Sequence, residues 1–119
     1  MKGQEWALIV TAAAMLSGCT YDNLESLGSP LDCETLDVSF GTTILPLVSD
    51  HCQGCHSGAA PSAGVGFEGH AEIASNAENM LDRMGRAPGD NLLMPQSGKL
   101  DSCSIALFSA WINAGKPNN

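Results

Sequence analysis

Cys52-Gln53-Gly54-Cys55-His56 sets two thiols three positions apart, with an imidazole directly after the second. Three chemistries can use that spacing. One turn of chain can add both sulfurs covalently to the vinyl groups of a haem and leave the imidazole beneath the iron. On that reading the pentapeptide is a c-type haem attachment sequence with His56 as proximal ligand. The same letters can also form a dithiol redox pair or half of a zinc site. Tetrahedral zinc wants a second pair close by, and the remaining thiols, Cys19, Cys33 and Cys103, are single and distant in the chain.

A haem used for electron transfer wants a second axial ligand, and a thioether raises the potential relative to a second imidazole. Met80 and Met84 fall on the apolar stripe of an expected helix, where methionine mostly fills gaps. Met94 stands instead in the non-helical run Asn91-Leu92-Leu93-Met94-Pro95, and the following proline biases it towards extended backbone. Such a segment can reach across to the distal face, so Met94 is the expected sixth ligand. His70 is the imidazole competitor and otherwise reads as an exposed residue at a helix start; His51 reads as a surface residue. Arg83, Arg86 and Lys99 are the bases nearest the Met94 segment. They are candidates for haem propionates, which arginine holds in a fork, or else are solvent-exposed.

Helices must position these groups. The first is expected from about Thr43 to His51, capped by Thr42 or Thr43, with Pro46 in its first turn where a missing N–H costs nothing. It delivers the chain to Cys52. Ser57 to Gly69 is rich in Gly, Ala, Ser and Pro and reads as loop able to wrap a flat ligand, with Phe67 at the ring edge or in plain core. His70 to Met84 carries the stripe Ile73, Ala77, Met80, Leu81 and Met84, and Gly85 ends it. Ala87 to Leu100 is irregular. A last helix runs from Ser102 or Cys103 to Ala114, with Asp101 or Ser102 as cap and Gly115 as stop. Its stripe is Ile105, Phe108, Trp111 and Ile112, with Trp111 either covering the haem or locking a helix crossing. No alternating strand pattern of useful length is present, so the expected fold is all-α.

The chain has 119 residues and a formal net charge of -8, with only 5 Lys+Arg. That balance argues against nucleic acid or anionic lipid headgroups as main partners. Asp22, Glu25, Asp32, Glu34, Asp37 and Asp50 precede the motif with no base among them. They form a solvated acidic face or a docking surface for redox proteins with a basic face.

All five cysteines can be assigned work. Leu16-Ser17-Gly18-Cys19 closes the apolar run from Ala7 after a start containing Lys2, which is a short export signal rather than the roughly 20 residues that span a bilayer. It resembles the lipobox of bacterial lipoproteins, in which the cysteine becomes a lipidated first residue. The expected organisation is a signal peptide over 1–18, the lipidated Cys19 and acidic tether over 19–37, and a domain over 38–119. Thr20 after Cys19 favours the outer membrane. In an oxidising compartment Cys33 and Cys103 are expected to pair, the alternative being two separate buried thiols. Their bridge closes a loop of about 70 residues and contributes about 4 kcal/mol.

Ile44 to Ser57, Arg83-Met84-Gly85-Arg86-Ala87-Pro88-Gly89-Asp90, Leu93-Met94-Pro95 and the ending Ala110 to Asn118 together resemble the small class I cytochrome c domains of bacterial envelope lipoproteins. The resemblance covers residues 33–119. It implies a three-to-four-helix cytochrome c fold around one covalent haem c, with crossing N- and C-terminal helices and His56 and Met94 as axial ligands. The implied function is a membrane-anchored one-electron carrier of the cell envelope, in the periplasm or at the cell surface, and not an enzyme. The alternative is a haem-bearing oxidoreductase subunit or a peroxidase-like enzyme, whose chemistry needs a vacant distal position.

Overall fold

Ser39, and not a threonine, starts the first helix. Its hydroxyl accepts the Thr42 N–H at 3.4 Å, and its carbonyl accepts both Thr43 and Ile44 N–H groups at 3.1 and 3.2 Å. The turn that results is π-helical, Phe40–Ile44, and runs without a break into α1, Leu45–His51. Pro46 accounts for the wide turn: its ring would crowd the carbonyl four residues back, and it has no N–H to give. These coordinates are a computed structural model that describes residues 33–119. The expected signal segment, the Cys19 lipidation position and the tether as far as Asp32 lie outside the described residues.

Phe40, Ile44 and Val48 recur every fourth residue and are all buried, and Cys52 continues the same stripe. Beyond the short 3₁₀ turn Ser62–Gly64 comes α2, His70–Gly85. Glu72 reaches back to accept the Glu68 and Gly69 N–H groups at 2.8 and 3.3 Å, which satisfies donors that the helix start leaves free. Ile73, Ala77, Met80 and Met84 form its buried face, with Leu81 at the margin.

The last helix, α3, covers Ser102–Asn113. Asp101 caps it, accepting from the Ser104 N–H at 2.9 Å and the Ser104 hydroxyl at 2.6 Å. The helix ends in a Schellman turn. Lys116 N–H donates to the Trp111 carbonyl at 3.0 Å and Gly115 N–H to that of Ile112 at 2.9 Å, while Gly115 takes the left-handed φ of 89° that the turn requires. Among the described residues the elements are helical and no strand is present. None of these helices is long and apolar enough to cross a membrane.

α3 packs on α2 and on the π-helical segment. Trp111 and Phe108 are fully buried at that junction, and the Trp111 indole N–H donates to the Pro117 carbonyl at 2.9 Å. His70 joins them. Its ring meets Phe40 and Trp111 edge to face, and Nε2 lies 2.9 Å from the Lys116 carbonyl. A carbonyl only accepts, so Nε2 carries the proton. The expectation of an exposed His70 is therefore corrected: the ring is half-buried because it fills the joint between the helices. Cys33 and Cys103 have their sulfurs at disulfide distance and their Cα atoms 5.5 Å apart, which ties the start of the described chain to the first turn of α3.

Candidate functional site

Val48 ends α1 by accepting two N–H groups, from Cys52 at 2.8 Å and from Gln53 at 3.1 Å. One further turn follows, in which the Cys52 carbonyl accepts from Cys55 and His56 at 3.2 and 3.0 Å. Both thiols and the imidazole are thereby carried on a single turn. Cys52 and Cys55 are free, Cys52 half-buried and Cys55 exposed.

The loop after the motif folds back onto it. Ser62 N–H donates to the Cys55 carbonyl, Phe67 N–H to the His56 carbonyl, and the Gln53 side-chain amide to the Phe67 carbonyl, at 2.9, 2.9 and 2.8 Å. This return brings the Val65 carbonyl to 2.9 Å from His56 Nδ1. The carbonyl can only accept, so Nδ1 bears the proton and the Nε2 lone pair is left free to bind a metal. Phe67 lies against the His56 ring, centroids 4.9 Å apart, and restricts its rotation.

These groups face a cleft of about 590 Å³. Its size falls within the roughly 300–1,000 Å³ of cofactor and small-ligand pockets. The motif segment and its return loop contribute His51, Cys52, Cys55, His56, Val65 and Phe67 among others. α2 contributes Asn76, Asn79, Met80, Arg83 and Met84, and the irregular segment adds Met94, Pro95 and Gln96. Met94 is half-buried, whereas Met80 and Met84 are nearly closed off at 6% and 2% exposure. Among the described residues lining the cleft none is acidic, although the chain as a whole is strongly so. Arg83 is the charged side chain among those lining residues.

The three candidate bases part company in the structure. Arg83 lines the cleft. Arg86 does not: its guanidinium spans Asp82, at 2.9 Å, and Asp90, at 3.3 Å. Lys99 is also engaged elsewhere, its ammonium donating to the carbonyls of Met84, Gly85 and Arg86. His51 is exposed, as expected, yet sits on the cleft rim. Trp111 and His70 are not among the lining residues and serve the helix junction.

Asn76 and Asn79 are lining residues that sequence reasoning passed over. The signal was available, since Asn76, Asn79 and Arg83 follow helical spacing beside Met80 and Met84 and must share their side of α2.

Burial pushes the Cys52 thiol up to about 11. A dithiol oxidoreductase needs the reverse, an attacking cysteine held as thiolate. Zinc is short of thiolate donors here, because Cys33 and Cys103 are joined to one another and, among the described residues, Cys52 and Cys55 are the free thiols. Among the described residues no three His, Cys, Asp or Glu side chains converge as a metal-binding group. A planar, largely apolar group attached through two sulfurs fits the donor set better than either alternative. No protein family, curated protein or solved structure matches the chain.

Proposed function

We propose that this protein is a mono-haem c-type cytochrome of the class I type that carries single electrons in a bacterial cell envelope. The observation that carries this reading is the convergence in one cleft of Cys52, Cys55, His56 and Met94, the last brought in by a separate loop. Cys52 and Cys55 would hold the haem covalently, and His56 Nε2 and the Met94 sulfur would bind its iron. The haem would supply one-electron iron(III)/iron(II) chemistry.

The chain's own residues account for the rest. The Val65 carbonyl fixes the His56 tautomer and makes the imidazole a better donor, as partners of ligating histidines generally do. Phe67, Val65, Met80 and Met84 line the site with apolar groups, and a thioether ligand would raise the potential relative to a second imidazole. Arg83, which lines the cleft, would receive a propionate. If His56 and Met94 both bound the iron, no site would be open for a substrate, which would favour a carrier over a peroxidase.

Export and anchoring rest on Leu16-Ser17-Gly18-Cys19, and the Cys33–Cys103 pair suits the oxidising compartment such a signal leads to. A lipid at Cys19 would confine the carrier to a membrane surface, the outer membrane being favoured, where its acidic face would meet redox proteins with basic docking surfaces. The test is a haem-stained denaturing gel together with the ferric absorption spectrum of the lipid-bearing protein. Covalent haem should survive denaturation, and the long-wavelength sulfur-to-iron band should be present. An unstained band on the gel overturns the haem reading; covalent haem without the sulfur band overturns the His/Met carrier.

A further inference from the structure

The segment between α2 and α3 that carries Met94 has apolar anchors in Leu93 and Leu100 and is otherwise mostly exposed. It arches over a hollow of about 440 Å³ bordered by Pro88, Asp90, Leu93, Gln96 and Lys99. Leu100 joins the main core at its far end, but buried Leu93 packs apart from that core, and Leu92 is 40% exposed. Around Met94, between those two anchors and the end of α2, polar attachments add to the hold on the segment.

They occur on both sides of Met94. Before it, Arg86 donates through Nε and Nη2 to one oxygen of Asp82, at 3.1 and 2.9 Å, and through Nη1 to Asp90 at 3.3 Å. Asp90 passes the constraint on: its carboxylate accepts the Leu92 N–H at 2.8 Å and its carbonyl the Leu93 N–H at 3.0 Å. Beyond it, Lys99 Nζ donates to the Met84, Gly85 and Arg86 carbonyls at 3.4, 2.8 and 2.6 Å. An ammonium has three protons, and these three carbonyls use them all. They belong to the last turn of α2 and its cap, where unpaired carbonyls and the negative end of the helix dipole favour a cation. Met94 itself donates its N–H to the Arg83 carbonyl at 3.2 Å.

We propose that Lys99 and Arg86 are positioning residues that staple the loop to the end of α2 on either side of Met94 and thereby hold its thioether in the cleft. This inference rests on the cytochrome reading above. Exposed charge pairs add little to global stability, so the staples act on the local balance between Met94 held in the cleft and Met94 released with its loop.

The experiment titrates the ferric, lipid-bearing holoprotein with imidazole, which competes with Met94 for the iron, and follows loss of the sulfur-to-iron band. Lys99→Leu should bind imidazole about tenfold more tightly, equivalent to about 1.4 kcal/mol, with little change in melting temperature. Arg86→Gln should shift the affinity in the same direction, and Lys99→Arg, which keeps charged donors, should recover most of the wild-type value. Lys116→Leu is the control, because Lys116 pairs with Glu78, away from this loop. Wild-type imidazole affinity in both Lys99→Leu and Arg86→Gln, with the band present in the wild type, overturns the inference alone. A wild-type protein with covalent haem but no band removes the His/Met reading and the inference together.

Discussion

Three methionines line one cleft, and conservative replacement separates ligand from filler. Leucine keeps the volume of methionine but has no sulfur. At Met80 and Met84, which are 6% and 2% exposed, a volume-conserving swap should cost less than about 1.5 kcal/mol, whereas alanine should cost roughly 2–5 kcal/mol through lost burial and a residual cavity. For a domain of this size each kcal/mol moves the melting temperature by about 4–8 °C. Met84→Leu should therefore melt within roughly 10 °C of wild type, while Met84→Ala should melt at least about 8 °C lower. Both should keep the sulfur-to-iron band. Met94→Leu should lose the band outright, since leucine has no sulfur to offer the iron. Absorption spectra and thermal melts on the same holoprotein samples give both readings. A Met94→Leu protein that keeps the band, paired with a Met84→Leu or Met80→Leu protein that loses it, refutes the assignment of Met94 as ligand.

Two further outcomes test the scaffold. The Cys33→Ser/Cys103→Ser double variant removes a cross-link between positions 70 apart and should lose about 4 kcal/mol, lowering the melting temperature by roughly 15–30 °C. Its haem spectrum should be unchanged, since neither sulfur lines the cleft; melting within a few degrees of wild type would show that the bridge constrains nothing further. Asp101 is held below the usual carboxylate range, first by the Ser104 hydroxyl and then by the Ser104 amide. A carboxyl lowered on folding contributes stability above its unfolded value, and that contribution disappears as pH falls through the folded one. Asp101→Ala should cost about 1 kcal/mol at neutral pH, and denaturant unfolding should show the gap closing as the pH falls below the ordinary carboxylate value of 3.8. A gap of constant size would assign the cap to something other than the carboxylate.

Much of the framework was legible because its causes are local. Apolar residues at helical spacing, the Asp101 cap and the Gly115 stop lie within a few positions of the hydrogen bonds they control, and the observed bounds of α2 and α3 differ from expectation by a residue or so. The Cys33–Cys103 pairing was legible by a different route, the elimination of thiols for which other work was expected. The start of the first helix was not legible. Ser39 donates its hydroxyl proton to the Asn119 carbonyl, Phe40 N–H donates to the Asn119 side chain, and Gly41 N–H donates to the same carbonyl at 2.8 Å. A Cβ on Gly41 would come within 3.3 Å of that oxygen, so the glycine permits an approach between segments at the two ends of the described chain.

The amino-acid sequence by itself determined which atoms are available for chemistry: two thiols and an imidazole on one turn, and a thioether on a proline-marked loop. Tertiary structure decided how they are used. It supplied the Val65 carbonyl that selects the His56 tautomer, and it sent Arg83 to the cleft, Arg86 to two aspartates and Lys99 to a helix end. The physical reason is reach. Backbone hydrogen bonds in helices close over three to five residues and leave a trace in the local pattern. A long side chain takes the best partner within several ångströms, and which partner is there depends on how separate elements meet.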